Sequence, residues 1–254
     1  MLWFLCLIAV AAANVPVKTR YDNYQVLAIT PTTLLQQRFL LRLADDIELD
    51  FWKETSILGE ENHVMIPPAK LETIKKQLTK RGINFRVHIE NVQTGIDEQE
   101  KELARNKKAF DYNQYNTLAD IYDEIERLAA NCPSGCSCST FDIGNSHEGR
   151  ALTVLDLDCG NSESIWIDST IHAREWLAPA TVFKFIDRLW NGDSLKDRYN
   201  FRFLPVHNPD GYLYTWTNTR MWRKNRSPNQ GSTCLGTDLN RNYADKRPLS
   251  SLND

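Results

Sequence analysis

The stretch SESIWIDSTIHAREWLAPATVFKFIDRLW, from Ser162 to Trp190, decides the fold of the second half of the chain. Ser164 to Ser169, centred on Ile165-Trp166-Ile167, has the β-branched and aromatic character of a strand. Leu177 to Trp190 reads as a helix, with Pro179 in its first turn and Gly192 just past its end. Upstream, Ala151 to Leu157 is a strand, and downstream Tyr199 to Val206 is another. Strands separated by helices predict an α/β fold, a mostly parallel sheet covered on both faces in α/β/α layers. This domain begins near Tyr112, where Asn116 or Thr117 caps a helix with Leu118, Ile121, Tyr122, Ile125 and Leu128 on one face. Trp166, Trp190 and Trp222 are expected in its core.

The first half reads differently. Tyr24 to Ile29, Leu49 to Trp52, Val64 to Ile66 and Phe85 to Ile89 have strand character. Thr32 to Ala44 is helical, with Leu35, Phe39 and Leu43 at four-residue steps. A second helix carries Leu71, Ile74 and Leu78 and stops at Gly82. The order βαββαβ is that of a small α+β open sandwich, two helices on one sheet face. From Thr94 to Lys108 the chain is polar and rich in Glu, Lys and Arg, with no apolar face worth burying, which suits an exposed helical linker. Arg105, Lys107 and Lys108 make it a target for a trypsin-like protease, although a merely solvated boundary fits the composition equally well.

Composition narrows the class. A net charge of -3 over 254 residues, without a basic stripe, argues against nucleic acid. Leu2 to Ala13 is an unbroken apolar run ending in Ala11-Ala12-Ala13, which reads as a signal peptide over residues 1–13 and predicts secretion. It is shorter than the about 20 residues a membrane span needs, so no membrane partner is expected. The competing reading is an N-terminal core strand or helix. Cys6 would leave with that segment. Cys132, Cys136, Cys138, Cys159 and Cys234 remain, and the crowded loop 132–138 favours disulfides over a zinc knuckle, whose fourth ligand is missing at usable spacing.

The chemistry concentrates after the strand at 164–169, in Ile171-His172-Ala173-Arg174-Glu175-Trp176. In open α/β sheets ligands bind beyond the carboxyl ends of strands. An imidazole and a carboxylate three residues apart at such a turn can converge on one Zn²⁺ ion, although this spacing alone is a weak signal. Four more blocks accompany it: Gly144-Asn145-Ser146-His147-Glu148-Gly149-Arg150, Val206-His207-Asn208-Pro209-Asp210-Gly211-Tyr212, Arg220-Met221-Trp222-Arg223-Lys224, and Asp238-Leu239-Asn240-Arg241-Asn242.

In their order and spacing these blocks resemble the zinc metallocarboxypeptidases of the pancreatic A/B, zymogen type, over a stretch from about residue 17 to Tyr243. The resemblance implies a secreted zymogen with an activation domain at 17–93, a connecting segment with its cleavage site at 94–110, and a partial carboxypeptidase domain at 111–254. It implies Zn²⁺ as cofactor, held by His172 and Glu175, and Arg223 as the group that polarises the scissile carbonyl and stabilises its oxyanion. A guanidinium suits that role because it is always charged and presents fixed donors. Asn240 and Arg241 match the pair that grips the substrate's free terminal carboxylate. Arg174 and Arg220 match secondary subsite arginines, and Asp238 matches a carboxylate near the zinc-ligating histidine. The implied substrates are peptides or proteins with a free C-terminus, and the implied partner is an activating trypsin-like protease.

Each position also has a plainer reading. Arg220, Arg223 and Lys224 fit a solvated basic face, and Asn240-Arg241-Asn242 an ordinary polar turn. His207 is expected to be structural, ahead of a Pro-Asp-Gly turn, and His63, His88 and His147 have no metal-like neighbour in sequence. The resemblance further implies a third zinc ligand, a general-base glutamate and a covering tyrosine downstream of Arg241. No histidine follows His207, and residues 244–254 depart from the family's pattern, so the chain as given is expected to be incomplete and inactive. Cys234 would pair with a later cysteine. Two rival functions stay open: a non-catalytic secreted fragment that binds peptides or inhibits proteases, and a metallohydrolase without terminal-carboxylate specificity.

Overall fold

The computed structural model describes residues 17–105 and 110–243. The apolar run at 2–13 and the Lys107-Lys108 pair lie outside the described residues. The chain divides into two compact units, one holding 20–105 and the other 17–19 with 110–243.

In the first unit the elements are β1 (Gln25–Thr30), α1 (Leu34–Leu43), β2 (Asp50–Lys53), β3 (Asn62–Ile66), α2 (Pro68–Lys80), β4 (Asn84–Ile89) and α3 (Val92–Arg105). The sheet runs β2-β3-β1-β4 with every pairing antiparallel, so the predicted βαββαβ order is realised. The period-2 pattern of β1 and β3 places Leu27, Ile29, Val64 and Ile66 in one core with Phe39 and Leu40 of α1 and Ile74 and Leu78 of α2. Thr33 caps α1 by accepting from the Gln36 N–H, and Pro68 opens α2, where its missing N–H costs nothing.

The polar segment after β4 is helical, as its composition suggests, but its first turn is not a solvated linker. Val92 and Ile96 of α3 are buried, and the Gln93 side chain accepts from the Tyr21 N–H at 2.7 Å. Two apolar residues one turn apart suffice to dock a helix end, and the surrounding charges hide them in the sequence. His63 and His88 also meet, with ring centroids 4.5 Å apart and Glu61 3.3 Å from His63 Nε2.

The second unit contains α4 (Leu118–Ala130), β5 (Ser137–Asn145), β6 (Ala151–Asp158), β7 (Ser164–Asp168), α5 (Leu177–Trp190), β8 (Asn200–Leu204) and α6 (Pro209–Thr217). Among the described strands its sheet is mixed, in the order β5-β6-β8-β7. The parallel pairing expected of helix-linked strands is found at β7 and β8, which α5 connects, whereas β5–β6 and β6–β8 are antiparallel. β5 leads into β6 through a turn closed by the Ser146 N–H donating to the Arg150 carbonyl at 2.8 Å. Both faces of the sheet centre are covered: neighbours Val154 and Leu155 of β6, and Phe203 and Leu204 of β8, are all buried. Phe185 of α5 packs edge-on to Phe201 and Phe203, and α4 lies along β5 and β6.

Three sequence expectations are corrected here. Trp166 is 45% exposed rather than in the core, because the alternation of β7 sets it on the same outward face as Ser164 and Asp168. Pro209-Asp210-Gly211 is not a turn but the first residues of α6, with Asn208 as its cap. β5 is a strand of nine residues where the sequence reading assigned only the cysteine loop at 132–138. The disulfides are Cys132–Cys138, which ties the segment after α4 to the start of β5, and Cys136–Cys159, which ties the residue before β5 to the loop after β6; Cys234 is a free, exposed thiol.

β7 ends in strain. Thr170 has φ of 61°, a left-handed conformation that is a genuine outlier for a β-branched residue, and it is buried. Its hydroxyl donates to the Pro205 carbonyl at 2.8 Å, an acceptor it shares with the Ser169 hydroxyl. Thr170→Val keeps the strained shape and loses the bond, so it is expected to destabilise the unit by about 1–2 kcal/mol. Thr170→Gly loses the same bond but releases the strain, and should stay within about 1 kcal/mol of wild type. Urea unfolding followed by tryptophan fluorescence separates the two; a glycine variant as unstable as the valine one would rule out the strain. A second expectation concerns α4, where Thr117 and Asp120 exchange side-chain and backbone bonds in a capping box. Thr117→Ala should lower the same unfolding free energy by about 1 kcal/mol, read as a fall in the urea midpoint.

Candidate functional site

β7 and β8 are parallel neighbours, so the segments that follow them leave the sheet at the same edge. The pairing continues past the strands, the Ser169 N–H donating to the Leu204 carbonyl and the His207 N–H to the Ser169 carbonyl. Residues 171–176 then form a tight turn into α5, in which the Glu175 N–H donates to the His172 carbonyl at 3.2 Å. This turn puts the side chains of positions 172 and 175 on one side.

His172 is buried and Glu175 is half exposed, and His172 Nδ1 lies 2.9 Å from Glu175 Oε1. On its other side the ring reaches Asp238, with Nε2 3.3 Å from Oδ1. A neutral imidazole that donates from Nε2 to Asp238 turns the Nδ1 lone pair toward the Glu175 carboxylate. Two acceptors facing one another at that distance suit a shared divalent cation such as zinc. Among the described residues, no group of three or more His, Cys, Asp or Glu side chains is placed to hold a metal. The pair therefore supplies two donors of a site rather than a whole one.

Asp238 organises its neighbours. Its Oδ2 accepts from Arg223 Nε at 2.9 Å, and its Oδ1 accepts from the Asn240 N–H at 3.0 Å. Burial resists ionisation of this carboxyl. The Arg223 bond and charge, the Asn240 N–H and His172 outweigh it and hold the carboxyl below the ordinary aspartate range. Arg223 Nη1 also comes to 3.6 Å from Glu175 Oε1. Arg223 is thus bound into the cluster and is not part of a solvated basic face, whereas neighbouring Lys224 is exposed. Asp238 also caps a short 3₁₀ turn, Leu239–Arg241, that carries Asn240 and Arg241, both exposed.

The remaining two arginines pack together beside the turn. Arg220 Nη1 donates to the Arg174 carbonyl at 2.9 Å, and its guanidinium lies 3.7 Å from the Trp176 ring, which also stacks in parallel with Trp216 at 4.0 Å. Arg174 is buried, with Nη1 3.4 Å from the Met221 carbonyl. The structure therefore brings His172, Glu175, Arg223 and Asp238 into contact. It joins Arg174 to Arg220 and sets Asn240 and Arg241 in the turn that Asp238 begins. Sequence reasoning overlooked Asn208, which is buried between the turn at 171–176 and residue 224. The Asn208-Pro209 pair, a preferred cap followed by proline at the first helical position, was the available signal.

Comparison with known proteins shows the family. The profile of the zinc carboxypeptidase family matches residues 121–252, just over half the chain, and that of the carboxypeptidase activation peptide matches 27–99. Carboxypeptidase A2 of Rattus norvegicus is 38% identical over 234 residues, covering 86% of this chain and 56% of its own length. Carboxypeptidase A1 of Sus scrofa is 33% identical over 259 residues, covering 95% and 61%. Among solved structures, thrombin activatable fibrinolysis inhibitor superposes with a TM-score of 0.75 at 33% identity, covering 89% of this chain and 60% of that one. Carboxypeptidase A from Helicoverpa armigera gives 0.78 at 25%, covering 89% and 59%. The chain thus spans less than two thirds of the relatives it matches. With an activation-peptide sequence ahead of a sheet-edge cluster of imidazole, carboxylates and guanidinium, and with both profiles matched in that order, the chain belongs to the zinc carboxypeptidase family.

Proposed function

We propose that the whole protein is a zinc-dependent exopeptidase that hydrolyses the C-terminal peptide bond of peptides and proteins, and that it is made as a secreted zymogen. The observation that carries this reading is the convergence of His172 Nδ1 and Glu175 Oε1, 2.9 Å apart, beside an arginine tied to the same aspartate as the histidine. Zinc, when bound, supplies Lewis acidity toward a carbonyl and acidifies water.

The chain's own residues have distinct tasks in this reading. His172 and Glu175 hold the ion, and Asp238 orients the imidazole by accepting from Nε2. Arg223 directs a permanent positive charge at the developing oxyanion. Asn240 and Arg241 bind the terminal carboxylate, where a planar fork makes two parallel bonds. Arg174 and Arg220 line a neighbouring subsite, and the Trp176 face under Arg220 fixes the latter's orientation. Residues 1–13 serve as signal peptide, 17–93 as activation domain, 94–110 as the segment cut by a trypsin-like protease, and 111–254 as part of the catalytic domain. Among the described residues no helix is long and apolar enough to cross a membrane, and export through the leader is the route this reading assigns.

After trypsin treatment, the whole protein is expected to release the last residue of a peptide with a free carboxylate and to leave the amidated peptide intact. Arg241→Ala should lower kcat/KM on the free acid by about 100-fold, the scale of one lost charge-assisted bidentate contact. His172→Ala should abolish turnover. Equal cleavage of acid and amide would replace this reading with a metallohydrolase that does not recognise the chain end.

A further inference from the structure

We propose that Asn208 is a positioning residue that sets the spacing between the metal-ligand turn and Arg223; the inference rests on the exopeptidase reading for its catalytic consequence, but not for its structural one. The side chain is buried, at 2% exposure, where three pieces of backbone meet. Its Oδ1 accepts from the Gly211 N–H at 3.0 Å, which caps α6. Its Nδ2 donates to the Ile171 carbonyl at 3.3 Å and to the Lys224 carbonyl at 3.1 Å. Ile171 immediately precedes His172, and Lys224 immediately follows Arg223. The same two segments are joined directly once more, by the Ala173 N–H donating to the Arg223 carbonyl at 3.0 Å.

Capping alone does not call for asparagine. Aspartate, serine or threonine would accept from the Gly211 N–H equally well. Only a carboxamide accepts on one atom while donating two hydrogens from the other, and here all three capacities are used. Reversing the amide would set its oxygen against two carbonyls and its nitrogen against an N–H, so the bonding pattern itself assigns the orientation. Gly211 supports the same arrangement: a Cβ there would lie 2.5 Å from the Lys224 carbonyl oxygen and 2.6 Å from Asn208 Nδ2. The start of α6 is pressed against residue 224 with no spare volume, and Asn208 converts that contact into a bridge. Asp238 links His172 to Arg223 through their side chains; Asn208 links them through their backbones.

Asn208→Ser and Asn208→Asp test this in the full chain, because each retains an oxygen for the cap while neither can donate to both carbonyls: aspartate has no donor, and serine has a single O–H on a shorter side chain. Amide hydrogen exchange in peptides covering 171–176 and 222–226 is expected to rise about 10- to 100-fold in both variants, with helix amides at 212–217 changing less than about threefold. Unchanged exchange in both loops, or an equal rise throughout α6, overturns the proposal and leaves Asn208 a simple cap. Should neither variant fold, the wild-type chain decides: the Ala173 and Gly211 amides are expected to be protected alike, and fast exchange of Ala173 beside a protected Gly211 overturns it. In the whole protein, Asn208→Ser should lower kcat about 10- to 100-fold with KM within about threefold, since the carboxylate clamp is untouched. A rise in KM at constant kcat would contradict the positioning role. Absence of any exopeptidase turnover in the wild type would remove the proposed function while the exchange result stood.

Discussion

The parallel pairing of β7 with β8 is the constraint on which the candidate site depends. Because both strands run the same way, the turn carrying His172 and Glu175 and the segment carrying Asn208 emerge side by side. An antiparallel pairing would send them to opposite ends of the sheet. Everything that meets at this edge is then fastened by short-range bonds. Thr170 bends the chain out of β7, Asn208 bridges Ile171 to Lys224, and Asp238 holds imidazole and guanidinium at once. Such redundancy is what keeps charged and aromatic groups within the narrow tolerances that polar chemistry demands.

The same cluster shows how a partly buried carboxylate is kept charged. Asp238 loses solvation, but it gains a guanidinium bond, a backbone N–H and an imidazole, and the sum favours the anion. Arg220 illustrates a different solution. Its charge sits over Trp176, which is itself stacked on Trp216, so a long side chain is immobilised by aromatic faces.

Much of the architecture was legible because hydrophobic period is a direct consequence of burial. The open sandwich could be read in order, since Leu27, Ile29, Val64 and Ile66 alternate and Ile74 and Leu78 fall one turn apart. The motif around His172 was a weak signal by itself and stood out through its resemblance, with four further blocks, to the zinc carboxypeptidases. What escaped reading had tertiary causes. β5, Ser137 to Asn145, is largely polar, and its one alternating pair, Phe141 and Ile143, is too short a pattern to announce a strand of nine residues. Trp166 looked like core because tryptophan usually is, whereas the structure sets it on the outward face of β7 that Ser164 and Asp168 share. Thr170 in a left-handed conformation runs against its local preference, and no sequence rule anticipates a residue held there by a distant carbonyl. The contact between Asp238 and His172 spans 66 positions, and its geometry could not be read from the residues alone.

The paired disulfides have one more consequence. Cys136–Cys159 closes a loop that takes in β5 and β6, and Cys132–Cys138 anchors β5 to the segment after α4. Cys234 is an exposed thiol, the kind of group that exchanges with such bonds. For anyone handling this polypeptide, the redox state of the buffer is therefore the variable to fix.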